Sequence, residues 1–368
     1  MGRDGSEKVA RVSGNRSRLA PRREGAGRAA GDNAAMKTEP RRAPPIEAAA
    51  LADAVSALAR GALVAFPTET VYGLGADATN PEAVARIFAA KGRPADHPLI
   101  VHLAPEARLA DWAAEIPDGA RKLAAAFWPG PLTMILAKSP RVPAIVTGGQ
   151  DSVGLRCPSH PVAQQLLREF ARIGSGAVAA PSANRFGRVS PTTAQHVRDE
   201  FGAGLLVIDG GACEVGLEST IVDLSRGFPV LLRPGAITRA QLAQALGTTL
   251  RDRDGDAPRA SGTLAAHYAP ATPVRLVAAD RWRDEIARAG RVAVLAMRDA
   301  QPGAAVWIAA PPDPVKYGHD LYANLRALDA AGANEILVEA PPPEPAWEAV
   351  NDRLSRAAAG AGALDDEP

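Results

Sequence analysis

ALVAFPTETVYGLGADATNPEAVARIFAAK, residues 62–91, decides the fold. Ala62–Phe66 is a short apolar run closed by Pro67, the length and setting of a buried strand. Asn80-Pro81-Glu82 is a helix start. The Asn side chain can accept N–H bonds as a cap, and Pro fits the first helical position, where an N–H would have no partner. AVARIFAAK carries that helix to Lys91. Strand, polar loop and helix in this order make the unit of an α/β layer.

The same alternation extends in both directions. Before the quoted stretch, IEAAALADAVSALAR from Ile46 is an amphipathic helix stopped by Gly61. After it, strands are expected at Leu99–Leu103, Leu132–Leu136, Ser152–Arg156, Gly176–Ala180, Leu205–Asp209, Ser219–Leu224 and Pro229–Arg233. Helices fit Pro161–Phe170, Thr193–Phe201 and Arg239–Leu246, the last capped by Thr238 and stopped by Gly247. Residues 46–247 therefore predict one α/β domain with a large mixed sheet. Residues 248–273 are charged, then small and Pro-bounded, and form a linker that is long for a passive one. Strands at Val274–Ala278, Val292–Ala296, Val306–Ala310 and Ile336–Ala340 then alternate with helices, ending in a helix near Trp347–Ala358. Residues 274–360 predict a smaller, Rossmann-like α/β domain. Residues 1–45 are polar and rich in Gly and Arg, which predicts a disordered extension, and Met36 offers a second start. Residues 361–368 predict a frayed tail.

Composition narrows the function. A chain of 368 residues with 46% hydrophobic and 23% charged side chains has the balance of a globular protein of about two domains. Forty-two basic against 41 acidic residues leave +1, which excludes a strongly basic nucleic-acid coat but not a local basic cleft. Aromatics at 4% leave room for only a small base-stacking platform. Two cysteines, Cys157 and Cys213, cannot build a disulfide framework or a four-cysteine metal site, and reduced buried thiols are the expectation. No apolar run reaches ~18 residues and the first residues contain no apolar signal core, so a cytoplasmic location is expected. A phosphate loop, a zinc-binding H-E-x-x-H helix and a nucleophile elbow are all missing.

Polar residues gather instead at strand ends. PTETVYGLG (Pro67–Gly75) offers hydroxyls and close backbone approach, or else a polar turn with capping threonines. In KGRPADHPLIVH, Lys91 and Arg93 suit a phosphate chain, although basic residues also favour helix C-termini, and His97 and His102 flank the next strand. Arg156 ends an apolar strand, where it can take a carboxylate ligand or an internal ion pair. APSANRFGRVSPTT places Ser182, Asn184 and Ser190 as an anion cradle or a helix cap. Ser219 and Thr220 open one strand, and Arg233 ends the next. Jointly, these cations beside small hydroxyl and amide groups suit a nucleoside triphosphate next to a small zwitterion, with catalysis by positioning and charge stabilisation.

PTETVYGLG, KGRP…HPLIVH, WPGPLT, SVGLRCPSHP, APSAN, GLESTIVD and LLRPG together resemble the YrdC/Sua5 family of threonylcarbamoyl-AMP synthases, over roughly Ile46–Gly247. HYAP (His267–Pro270) and the second α/β unit resemble the longer, two-domain Sua5 branch. The resemblance implies a YrdC-like twisted mixed sheet with a concave cleft. It implies a nucleotidyltransferase that condenses L-threonine, bicarbonate or CO2 and ATP, with Mg²⁺ accompanying the ATP, into threonylcarbamoyl-AMP and pyrophosphate. The product serves the N6-threonylcarbamoyladenosine at position 37 of tRNAs reading ANN codons, through a separate transfer complex. By motif, Thr70, His102, Arg156, Ala180 and Ser219 would hold threonine. Arg93, His97, Ser152, Ser182, Asn184, Ser190, Arg233, His267 and Tyr268 would hold ATP, with Lys91 and Arg93 as the catalytic cations and no resident metal. His97 stands where some relatives carry Asn, and Ser261-Gly262-Thr263-Leu264 lacks the Pro of the family's linker motif. The linker is expected to act as a lid, because a carbamate and a mixed anhydride are both water-sensitive. Two alternatives stand beside this reading: a double-stranded-RNA-binding protein whose cationic cleft takes RNA weakly, and a carbamoyl-adenylating enzyme of the hydrogenase-maturation type, whose extra zinc modules two cysteines cannot supply.

Overall fold

In the computed structural model, residues 46–288 and 290–360 are described; the expectations for 1–45 and 361–368 lie outside them. The described residues open with α1 (Ala48–Ala59), β1 (Val64–Phe66) and β2 (Gly73–Asp77). Next come α2 (Pro81–Lys91), β3 (Ile100–Leu103), α3 (Asp118–Phe127), β4 (Leu132–Ala137), α4 (Ala144–Thr147) and β5 (Ser152–Arg156). Then α5 (Pro161–Ile173), β6 (Ala177–Ala179), α6 (Ala194–Phe201), β7 (Leu206–Val207), β8 (Thr220–Asp223), β9 (Val230–Arg233), α7 (Arg239–Leu246) and β10 (Arg251–Asp252) follow. These ten strands form one mixed sheet in the order β10-β9-β8-β4-β5-β3-β6-β2-β1-β7. Apolar clusters pack the helices against it: α2 and α3 contribute Ile87 and Leu123 to one, α1 and α5 contribute Leu58 and Phe170 to another.

A second sheet is built from β11 (Val274–Val277), β12 (Val292–Ala296), β13 (Val306–Ala309) and β14 (Glu335–Glu339), with α8 (Trp282–Arg288), α9 (Pro314–Asp329) and α10 (Glu348–Gly360). Its order is β11-β14-β12-β13, every pair parallel. One apolar cluster runs through both parts of the chain, joining Val71, Val189, Leu217 and Tyr268 to Leu321, Tyr322, Leu325 and Leu354. Both cysteines are buried and unbridged. No helix among the described residues is long and apolar enough to cross a membrane.

The local signals act as their chemistry requires. Asn80 accepts the N–H groups of Glu82 and Ala83 at 3.0 and 3.1 Å, and Thr238 forms a reciprocal box with Gln241. One expectation needs correction. Gly73–Asp77 is not loop but β2, antiparallel to β1. A side chain at Gly75 would meet Val178 at 2.6 Å and Phe66 at 2.8 Å, so glycine here permits close packing rather than a turn. Within residues 248–273, Arg251–Asp252 extends the large sheet beside β9.

Candidate active site

Pairing register places the key side chains. Across the sheet, His102 of β3 pairs with Arg156 of β5, Arg156 with Thr133 of β4, Thr133 with Ile221 of β8, and Ile221 with Arg233 of β9. Laterally paired residues project from the same face, so one row carries an imidazole, two guanidiniums and a hydroxyl. Ala180-Pro181-Ser182, following β6, and Ser261-Gly262 with His267-Tyr268 from the linker close the hollow above that row. The hollow is partly open: about 480 Å³ of space free of protein atoms lies within its bounds, solvent at its mouth included.

Arg156 donates from Nη2 to Glu69 Oε1 at 2.7 Å, and Glu69 Oε2 accepts the Ser159 N–H at 3.1 Å. The internal ion pair therefore exists, while Arg156 Nε has no partner. Arg233 donates from Nε and Nη2 to the Ser219 carbonyl at 3.0 and 2.9 Å, and from Nη1 to the Ser261 carbonyl at 2.8 Å. Ser219 also shares a 2.8 Å hydroxyl contact with Thr133. Arg93 Nη2 reaches the Pro98 carbonyl at 3.0 Å and Ser261 Oγ at 3.1 Å. Burial, with Arg233 nearby, lowers the Arg93 guanidinium to about 10, so it stays cationic at neutral pH.

Both histidines of the cavity are neutral. Burial, reinforced by Arg156, brings His102 down to about 3. Burial also brings His267 to about 3: the pull of Glu218 opposes this, and Arg93 and Lys91 reinforce it. Burial would raise the Glu218 carboxyl, but Arg353 and Arg233 bring it to about 2, so this cavity-lining carboxylate is ionised.

Not every expected residue reaches the cavity. Arg93, His102, Arg156, Ala180, Ser182, Ser219, Arg233, His267 and Tyr268 line it. Thr70 lies behind Thr68, which lines the wall while the two hydroxyls sit 2.9 Å apart. Lys91 is buried under the 182–184 loop and donates to the carbonyls of Ser182, at 2.7 Å, and Asn184. Burial and the adjacent Arg93 push its ammonium well below the ordinary range. Asn184 donates to the carbonyls of Arg185 and Arg188, and its Oδ1 is unpartnered. Ser190 donates to Glu218. Ser152 lines an adjoining hollow that shares Ile100 and Ser261 with the main one. His97 stands outside, its ring 5.3 Å edge-on from Phe186, which also lies 5.8 Å below the Arg93 guanidinium and 6.1 Å from His267.

Thr68 is one of the hydroxyls that the PTET motif offers, and it takes the place on the wall expected of Thr70. Glu69, Glu218 and Phe186 are not singled out by the sequence: they stand inside the quoted PTET, GLEST and APSANRFGRVSPTT stretches, and proximity is their only signal.

Four of the residues that line this cavity each carry one buried nitrogen without a partner: Arg93 Nε, His102 Nδ1, Arg156 Nε and His267 Nδ1. Such atoms are costly unless a ligand or water satisfies them. Three guanidiniums around one hollow favour an anion.

Comparison with known proteins agrees with this chemistry. A family model described as telomere recombination (Sua5, YciO, YrdC) matches residues 56–235. A second, described as the threonylcarbamoyl-AMP synthase C-terminal domain, matches residues 237–359. The threonylcarbamoyl-AMP synthase of Pyrococcus abyssi is 41% identical over 81% of this chain and 90% of its own length. That of Bacillus subtilis is 39% identical over 84% and 93%. The crystal structure of P. abyssi Sua5 complexed with L-threonine superposes with a TM-score of 0.78 at 38% identity, covering 84% of this chain and 94% of that one. With identity and fold shared across both sheets, the chain belongs to the YrdC/Sua5 family of threonylcarbamoyl-AMP synthases, in its two-domain Sua5 branch.

Proposed function

We propose that this cavity joins L-threonine, CO2 or bicarbonate, and ATP into threonylcarbamoyl-AMP and pyrophosphate, the activated precursor of a tRNA modification. The observation that carries the reading is that Arg93, His102, Arg156 and His267 line one hollow and each keeps a buried nitrogen without a partner. Residues 46–247 form the catalytic part, 248–273 the lid, and 274–360 a supporting part. A separate complex takes the product to tRNA in the cytoplasm.

Arg156 Nε, fixed by the Glu69 pair, presents a donor to the threonine carboxylate. Ser219, Ala180 and Thr68 shape the space beside it. The free amine of threonine attacks CO2, and its proton leaves to bulk solvent before closure. A carbamate oxygen then attacks the α-phosphorus of ATP, and the bond to pyrophosphate breaks. Arg93 and Arg233 face the developing negative charge as pre-oriented donors. Lys91 and Asn184 act one step back, by holding the 182–184 loop. His102 at about 3 is a hydrogen-bonding partner, not a proton store at neutral pH.

Among the described residues, no group of three or more His, Cys, Asp or Glu side chains could hold a metal ion. The carboxylates near the cavity are spoken for: Glu69 by Arg156, Glu218 by Arg353. The residues present do not fit a resident metal, so Mg²⁺ belongs to the ATP.

The test is pyrophosphate release with threonine, bicarbonate and ATP omitted in turn. Release that needs all three supports the reading. Release indifferent to threonine, or tight binding of RNA with no release, overturns it.

A further inference from the structure

Resting on that reading of the cavity, we propose that Arg353 of α10 is a positioning residue for the reaction: with Tyr322 of α9 it fixes Glu218 and latches the 261–269 strap over the nucleotide site.

Arg353 has a fully buried side chain, 0% exposed. Its Nε donates to Glu218 Oε2 at 2.9 Å, and the Tyr322 hydroxyl donates to the same oxygen at 2.7 Å. Ser190 donates to the other oxygen. Arg353 Nη2 reaches the Pro234 carbonyl, directly after Arg233, at 3.0 Å. One guanidinium thus grips both ends of the cavity wall that holds Ser219 and Arg233.

The same guanidinium supports the strap. Its carbon lies 5.2 Å from the centre of the Tyr268 ring, and the Tyr322 ring lies 5.7 Å from that of Tyr268. Tyr268 is the only non-glycine residue at positive φ among the described residues, at 62°. A bulky side chain occupies that region only when its surroundings over-determine it. The rest of α10 does so. The His267 N–H donates to the Arg356 carbonyl at 3.2 Å, and Arg356 donates to the Leu264 carbonyl. Asp352 accepts from Arg356 at 3.0 and 2.8 Å, which orients it. A Cβ at Gly360 would stand 2.6 Å from Ala269, so the end of the helix is shaped to the strap.

A buried Arg–Glu pair is a poor device for stability alone, because desolvation offsets most of its attraction. It is a good device for register, because only one arrangement satisfies both charges. Here it sets how firmly the strap stays closed, and so how well the nucleotide is held.

The experiment is hydrogen–deuterium exchange on the full chain, without substrate, for wild type, Arg353→Lys and Tyr322→Phe, together with pyrophosphate-release kinetics. Lys keeps the charge but loses the fork that reaches Pro234; Phe removes one hydroxyl. In Arg353→Lys the strap amides should exchange about tenfold faster and the KM for ATP should rise about tenfold, with kcat changing less. Amides of β12 and β14 should keep wild-type protection. Tyr322→Phe should move in the same direction by a smaller factor. Strap exchange and KM both at wild-type values in Arg353→Lys would overturn the latch. So would equal loss of protection in strap and C-terminal sheet, which would make Arg353 a general stabiliser. Exchange is read without turnover, so a wild type that fails the threonine test still leaves the latch open to measurement.

Discussion

Arg156 and Glu69 meet at 2.7 Å, Nη2 to Oε1, with side chains only 5% and 3% exposed. The pair answers one question and sharpens another. A guanidinium at the end of β5 was expected either to take a ligand carboxylate or to be paired internally. It is paired through one nitrogen and unpartnered at another, so pairing orients it and still leaves a donor free.

Arg156→Ala should therefore do two things at once. It should raise the threonine KM far more than the ATP KM, and it should cost about 3–5 kcal/mol of stability by stranding the Glu69 charge. The double variant Arg156→Ala/Glu69→Gln separates them. Urea unfolding should recover most of the lost stability, while initial rates should show threonine binding still impaired. Equal rises in both KM values would show that the carboxylate assignment is wrong.

Gly262 sits at φ 73, and a Cβ there would run into the Tyr268 hydroxyl and approach Arg233 Nη1 to 3.0 Å. Gly262→Ala should prevent closure of the strap without disturbing either sheet. Pyrophosphate release should fall by about tenfold or more, with a melting temperature within about 2 °C of wild type. Deleting His267–Pro270 should slow adenylate formation further. Unchanged turnover in both variants would remove the lid.

Arg93→Ala and Lys91→Ala should each lower turnover by ~10²-fold, for different reasons. Arg93 lines the cavity and donates to one part-buried carbonyl, that of Pro98, so its loss should appear chiefly in rates, with the smaller thermal cost of a single stranded carbonyl. Lys91 satisfies the Ser182 and Asn184 carbonyls from a buried position, so its loss should cost about 1–3 kcal/mol per stranded carbonyl as well. Thermal melting beside initial rates distinguishes the two. A stable, active Lys91→Ala would show that the 182–184 loop needs no anchor.

What the sequence revealed follows from how local each signal is. Ser152–Arg156 and Val292–Ala296 match β5 and β12 residue for residue, since short apolar runs between breakers state their own limits. β2 was hidden because its glycines, demanded by Phe66 and Val178 across the sheet, look like turn residues in a single chain. Arg93, Arg156 and Arg233 were visible as charges ending apolar strands or following a helix. Thr68 and Thr70 could not be told apart, because two residues of one motif differ only in which way the backbone turns them. Arg353 and Tyr322 gave no signal at all: they reach Glu218 across 135 and 104 residues, and no spacing records a contact of that range.

Acid should loosen the protein before its carboxylates titrate. His102 and His267 are both held at about 3 against an ordinary 6.5, chiefly by burial. Between those values the unfolded chain binds protons that the folded chain refuses, so stability is complete above the unfolded value and falls as pH drops below it. From about pH 7.5 to 5.5 each histidine should cost about 1.4 kcal/mol. Glu218, brought to about 2 from 4.5, loses stability in the same direction but only at lower pH, so the first stage belongs to the histidines. Urea midpoints measured across that interval should shift less in His102→Gln and in His267→Gln, each removing about 1.4 kcal/mol of the pH dependence. An unaltered pH dependence in both variants would mean that these two imidazoles are not the neutral, desolvated groups that the cavity geometry makes them.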